Sequence, residues 1–227
     1  MLLIGWWVWQ LFKPADAPRK KTRREHCFQN IQAIGLAMAQ YHQRFGSFPP
    51  AYVADSQGRP QHSWRVLLLP FLGEEELYDE YRRDEPWDSP HNSKLIDQMP
   101  LVYRCPSDNE SPLRQANVAV VTGPGTLFDG PKASRREEIL DGPENTLLFV
   151  EVADSGCTWT EPRDLPLKSL KLPMNSDSHG ISSHHPRWVH VVFANGRAIA
   201  LPISTKPDIV RALCTSRGGE KMDEKSY

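Results

Sequence analysis

Between residues 23 and 45 the apolar positions recur at intervals of four and three: Cys27, Ile31, Ile34, Met38, Tyr41 and Phe45. That spacing draws one continuous stripe along an α-helix. Gln29, Gln32, Gln40 and Gln43 fall away from the stripe, and Ala33, Gly35, Ala37 and Ala39 keep its flanks small. A second element can therefore approach this helix closely. Gly46 and the Pro49-Pro50 pair end it. Residues 64–72 form an apolar run that predicts a buried helix bent at Pro70. Residues 74–83 predict a short helix with acids in its first turn, where the dipole favours them. Another short helix is expected over 93–98.

The pattern changes after residue 100. Residues 101–104, 118–121 and 146–151 read as strands, separated by the turn signals Gly123-Pro124-Gly125, Asp129-Gly130-Pro131 and Asp141-Gly142-Pro143. Residues 188–201 predict a β-hairpin around Asn195-Gly196, the pair that a two-residue type I′ turn prefers. That turn would pair Phe193 with Ala198 and Val192 with Ile199. Val189, Val191, Phe193, Ala198 and Ala200 would then share one face. Trp188, His190, Val192, Ile199 and Leu201 would share the other. Residues 206–213 close the pattern as a short helix. Helices first and strands later predict an α+β fold with an antiparallel sheet.

Composition narrows the function classes. A formal net charge of −1 over 227 residues leaves no global basic footprint for nucleic acid. Twenty prolines predict many ordered loops between short elements. Cys27, Cys105, Cys157 and Cys214 are scattered with no C-x2-C pair, so zinc-ribbon and thioredoxin-like readings lack support. The spacing H-x4-H occurs at His179/His184 and at His185/His190. Adjacent His184 and His185 point to opposite sides of an extended chain, and so do His185 and His190 if their strand is continuous. No metal ligands and no cofactor are therefore expected, and these histidines read as polar strand-entry residues. Nucleophile-elbow, P-loop, dinucleotide and H-E-x-x-H motifs are absent from the sequence. Glu151, Asp154, Glu161 and Asp164 lie close in sequence and offer the one carboxylate set from which a hydrolase could be built.

The first 12 residues, MLLIGWWVWQLF, are apolar but shorter than the ~17–25 needed to span a bilayer as a helix. Trp6, Trp7 and Trp9 suit a membrane interface, and a basic linker follows. Residues 1–22 thus read as a short hydrophobic segment with its linker, giving shallow membrane attachment through 1–12. Residues 23–227 read as the folded domain.

Several motifs in order resemble one bacterial family. RREHCFQNIQAIGLAMAQYHQRFGSFPP, HSWRVLLLPFL, YRCPSD, VVTGPGTLFDG, DGPENTLLFVE, WTEPRDL and RALCTSRGGE are similar to the pseudopilin-like family called domain of unknown function 1559. Its H-x9-D-G signature corresponds to His185, Asn195 and Gly196, with Asn in place of Asp. The resemblance implies a pilin-like α+β fold, a long N-terminal helix packed on an antiparallel sheet. It also implies a non-enzymatic, envelope-associated protein with its main domain extracytoplasmic and with protein assembly partners. The signature residues would be structural, the His185 ring bonding backbone near the turn or in a neighbouring loop. The prepilin cleavage motif is missing and the long apolar helix is reduced to residues 1–12, so prepilin processing is not expected. The alternative is an extracytoplasmic solute- or glycan-binding module with Trp159 and Trp188 as contacts. A deep polar pocket near Trp159 would favour that alternative, and a bare apolar patch on the helix would favour assembly.

Overall fold

The computed structural model describes residues 16–220, with side chains from residue 22. Residues 1–12, to which membrane attachment was assigned, lie outside the described residues. The chain opens with helix α1 (Asp16–Phe45, 30 residues), followed by strands β1 (Tyr52–Ala54) and β2 (Pro60–Ser63) and helices α2 (Trp64–Leu67) and α3 (Glu75–Glu80). Then come β3 (Val118–Ala119), β4 (Val121–Thr122), β5 (Leu147–Glu151), β6 (Leu165–Pro166), β7 (Trp188–Phe193), β8 (Ala198–Pro202) and helix α4 (Pro207–Leu213). The main sheet runs β3-β5-β7-β8, and every neighbouring pair in it is antiparallel. The fold is α+β with antiparallel sheets. Among the described residues no helix is long and apolar enough to cross a membrane.

α1 packs through the stripe its sequence drew. Cys27, Ile31, Ile34 and Met38 are buried, and so is Ala37. Gly35 sits so close to β7 that a Cβ added there would lie 3.3 Å from Val192 Cγ1. The C-terminal end of the stripe departs from expectation. Phe45 is 56% exposed, and it stacks with Tyr41 at 4.5 Å and with Phe71 at 6.3 Å instead of entering the core. On the α1 side the sheet contributes Phe149 and Val192 to a core that also holds Trp64, Tyr103 and Trp159. Its other face carries Leu147, Val150, Val189, Val191, Phe193 and Leu201 against Val210 and Leu213 of α4. The sheet is thus the middle of three layers.

Three elements differ from their sequence patterns. Residues 101–104 form a 3-10 turn (Leu101–Tyr103) rather than a strand. The Leu101 and Arg104 carbonyls accept from Asn30 Nδ2 of α1, so no sheet partner claims them. The 64–72 run breaks at Pro70 into α2 and a 3-10 turn (Leu69–Phe71), as a ring without an N–H requires. β4 and β6 add a small parallel pair that the alternation did not foretell.

The hairpin also differs, by one residue of register. Val191 pairs with Ile199 and Val192 with Ala198. Gly196 N–H donates to Phe193 O at 2.8 Å and Phe193 N–H to Arg197 O at 2.9 Å, so three residues, Ala194 to Gly196, form the loop. Gly196 has φ +90° while Asn195 keeps a negative φ. These are the marks of a type I turn closed by a G1 bulge, not of a type I′ turn. Phe193 and Ala198 consequently face opposite sides. The slip sets Ile199 and Leu201 beside Val191 and Phe193 in the far core. It leaves Ala198 and Ala200 on the side where α1 approaches, and small residues are what that approach needs.

A buried ion pair ties the first half of the chain to the second. Arg65 Nη2 donates to Asp164 Oδ1 at 2.8 Å, and both side chains are 1% exposed. Arg65 also reaches Val118 O and Ser63 Oγ. Asp164 accepts from Trp64 Nε1 and from the Val120 N–H. Each charge therefore has hydrogen bonds beyond its partner, the condition under which such a pair is tolerated.

Two stability outcomes follow from this packing. Ile34→Asp buries an unpaired charge at the centre of the stripe and should cost several kcal/mol, on the order of 3–5, in a denaturant melt. Gln40→Asp, on the exposed side, should stay within about 0.5 kcal/mol. Equal losses would show that the stripe is not the core face. Gly196→Val meets no steric neighbour but must hold a β-branched residue at positive φ, an expected loss of about 1–3 kcal/mol. Asn195→Asp keeps the acceptor used by the Arg197 N–H and should be nearly silent in the same melts.

Candidate functional site

The N-terminal part of α1, the end of β5, the first half of β7 and the loop before β7 converge on one buried point. Cys27 comes from the helix, Glu151 is the last residue of β5, His190 lies on β7 and His185 on the preceding loop. One ligand-capable atom from each lies within 4.8 Å of all the others, and all four residues are buried. Cys27 Sγ donates to Glu151 Oε1 at 3.2 Å. His185 Nε2 is 3.9 Å from Glu151 Oε1. His190 Nδ1 is 3.1 Å from Glu151 Oε2 without making a hydrogen bond, and the His190 backbone N–H donates to that oxygen at 3.1 Å. The His185 and His190 rings meet edge to face at 5.2 Å.

A second thiol adjoins the group. Cys105 Sγ stands 3.9 Å from His185 Nε2 and interacts with the Cys27 thiol. The YRCPSD segment holds it there. Asn117 Oδ1 accepts from the Cys105 N–H at 2.8 Å, and Asn117 Nδ2 donates to Asp108 Oδ2 at 2.9 Å. Asp108 Oδ1 in turn accepts from the N–H groups of Glu110 and Ser111.

Electrostatics divides these groups by role. Burial works against the charged form of Glu151, but contact with His190 and the charge of His185 outweigh it and hold the carboxyl below its usual range. Of the two thiols, Cys105 is the readier to ionise, held low by the Cys27 hydrogen bond and by His185 against the effect of burial. Cys27 is pushed strongly upward by its hydrogen bond to Cys105, by burial and by Glu151. His185 is drawn down by burial and drawn up more by Cys105 and Glu151, for a net rise.

The other sequence candidates scatter. His184 Nε2 bonds to Ala153 O and His179 Nδ1 to Asp154 O, so the His179/His184 pair does not converge. His185 and His190 do converge, contrary to the opposite-face expectation, because the strand begins only at Trp188 and the chain turns between them. The His185 ring faces the Cys105 and Glu151 side chains rather than backbone near the Asn195-Gly196 turn or in a neighbouring loop. The loop carboxylates each have a separate partner: Glu161 meets Arg163, Asp164 meets Arg65, Asp154 meets His179, and Glu151 joins the buried group. Trp159 is wholly buried and donates to Ile96 O at 2.9 Å, so its surface is given to packing, not to a ligand. Trp188 is partly exposed and lines a groove of about 470 Å³ with Arg24, Phe28 and His190.

The family model described as "Protein of unknown function (DUF1559)" matches residues 16–137, more than half of the chain. The chain belongs to this family. No curated protein and no solved structure matches it. In this DUF1559 chain the matched region carries Cys27 and Cys105, while Glu151, His185 and His190 lie beyond it.

One signal for this site is legible in the chain. Cys27, Glu151 and His190 are the polar members of otherwise apolar positions: the start of the stripe, the end of LLFVE and one face of β7. Each was explained alone, and only the fold places them side by side.

The Asp108–Asn117 pair that holds Cys105 can be tested by acid. Burial raises the Asp108 carboxyl, but the Ser111 N–H, the Asn117 amide and the Glu110 N–H outweigh it and lower it from 3.8. A carboxyl depressed in the folded state contributes stability above its unfolded value and loses it as pH falls through the folded value. Asp108→Asn should therefore be about 1–3 kcal/mol less stable than the parent at neutral pH. That gap should close in urea melts as pH drops below 3.8. A gap independent of pH would remove the charge from the explanation.

Proposed function

We propose that this DUF1559 protein is a non-enzymatic, envelope-associated, pseudopilin-like component of a surface or secretion-related assembly. Its main domain would be extracytoplasmic and held at the membrane through residues 1–12. α1 is the observation that carries this reading. It lies on an antiparallel sheet through one stripe and still exposes Leu36, at 61%, and Phe45. A helix with apolar side chains left outside its own core has surface available to another chain. The burial of Trp159 weighs on the same side, since no ligand pocket can be built on it.

A solute- or glycan-binding module is the second reading, and the Trp188 groove is what favours it. The guanidiniums of Arg24 and Arg187 lie 5.1 and 5.2 Å from the Trp188 ring centre. Titration of tryptophan fluorescence with oligosaccharides, lost in Trp188→Ala, would support that reading.

Protease treatment of spheroplasts tests the main proposal. The domain should be digested from outside in spheroplasts and protected in intact cells. A photo-crosslinking residue at Leu36 should capture a defined partner or another copy in vivo. Protection in spheroplasts would overturn the extracytoplasmic placement, and an absence of crosslinks would overturn assembly through α1.

A further inference from the structure

We propose that Cys27, Glu151, His185 and His190 form a structural binding site for a single divalent transition-metal ion of the zinc class. Zinc bound by thiolate, imidazole and carboxylate sits about 2.0–2.3 Å from each ligand, so tetrahedral ligands stand roughly 3.3–3.8 Å from one another. The separations here bracket that range. Cys27 Sγ and Glu151 Oε1 are 3.2 Å apart, His185 Nε2 and the same oxygen 3.9 Å, and His190 Nδ1 and the other carboxylate oxygen 3.1 Å. All four ligand atoms lie within 4.8 Å of one another, so the wider pairs must draw in by up to about 1 Å to close on one ion.

Three further observations point the same way. His190 Nδ1 is buried without a hydrogen-bond partner although a carboxylate oxygen stands beside it. An ion between the two would give both atoms a partner. The donor set is also chemically mixed: one thiol, two imidazoles and one carboxylate, all of which zinc takes, whereas magnesium and calcium favour oxygen and would leave the sulfur and both nitrogens unused. Finally, the site is closed. Cys27 and His190 are each 2% exposed, Glu151 1% and His185 7%. Four protein ligands, none more than 7% exposed, fit a structural centre rather than a catalytic one, which keeps a position free.

Cys105 stands next to the set and does not complete it. Its place beside the Cys27 thiol and the His185 ring suits an outer partner that orients ligands. The ion would fasten α1 to β5, to β7 and to the loop before β7, joining Cys27 to Glu151, 124 positions along the chain, and to His185 and His190, farther still. This proposal is independent of the assembly reading above, since it concerns how the domain is held together.

The test uses the full chain, purified under reducing conditions without chelator. Elemental analysis should find about one zinc per chain. Replacing it with Co²⁺ should give the visible absorption of a tetrahedral ion and a thiolate-to-metal band in the near ultraviolet. Stripping the metal should lower the melting temperature, and zinc should restore it. His190→Gln and Cys27→Ser should abolish stoichiometric binding. Cys105→Ser should weaken it about 10–100-fold, and His184→Gln should leave it unchanged. Variants that fail to fold leave the Co²⁺ spectrum of the parent chain as the deciding measurement. A metal-free chain that binds no Co²⁺ when titrated overturns the proposal. So does a Cys27–Cys105 disulfide found by mass and thiol titration in chain purified without reductant, because it would consume the sulfur ligand.

Discussion

The approach of α1 to the sheet is the constraint on which the rest depends. Gly35 lets the helix lie so close to β7 that an added Cβ would already press on Val192 at 3.3 Å. Only at that depth does Cys27, two turns earlier, reach Glu151 and the buried group around it. The hairpin register serves the same end. Its G1 bulge turns Ala198 and Ala200 toward the helix and sends Ile199 and Leu201 to the far core. A larger residue at any of these small positions would lift the helix and open the buried point to water. Small side chains are usually read as gaps in a pattern. Here they set the spacing of two layers.

Much of this architecture was legible in the chain. The 27/31/34/38 stripe, the break at Pro70, the strand at LLFVE and the hairpin all follow from periodicity and turn chemistry, and each is present. What periodicity could not settle is telling. The two- and three-residue forms of an Asn-Gly hairpin share one sequence, and the choice between them is made by what packs on each face. The parallel β4/β6 pair joins residues 121 and 165, and no local pattern encodes such a contact. The buried group around Glu151 was illegible for the same reason, because its members come from four segments and each has an ordinary local explanation. Cys27 passes for a core residue, Glu151 for a strand-end acid and His190 for a half-buried strand residue.

The site and the ion pair of Arg65 with Asp164 share a construction. In both, polar groups that would be costly alone are buried together, and in both the partners come from opposite halves of the chain. The first lies at the N-terminal end of α1 and the second beneath α2 and β3. Apolar packing alone would let these layers slide, since it is roughly indifferent to direction. Buried polar contacts have direction, so they fix which residue meets which.

Arg65 and Asp164 are 99 positions apart, and that distance has a consequence in time. A ribosome adds about 5–20 residues per second, so Arg65 emerges on the order of ten seconds before the carboxylate that neutralises it. During that interval Trp64, Val66, Leu68 and Leu69 have no finished core to enter, and the guanidinium among them resists burial. Glu151, Asp164 and the strands β5, β7 and β8 of the main sheet all follow residue 146. The nascent chain therefore cannot close from its N-terminus forward. It has to remain open until its last third is synthesised, and a binding chaperone would find its apolar first half available for most of translation.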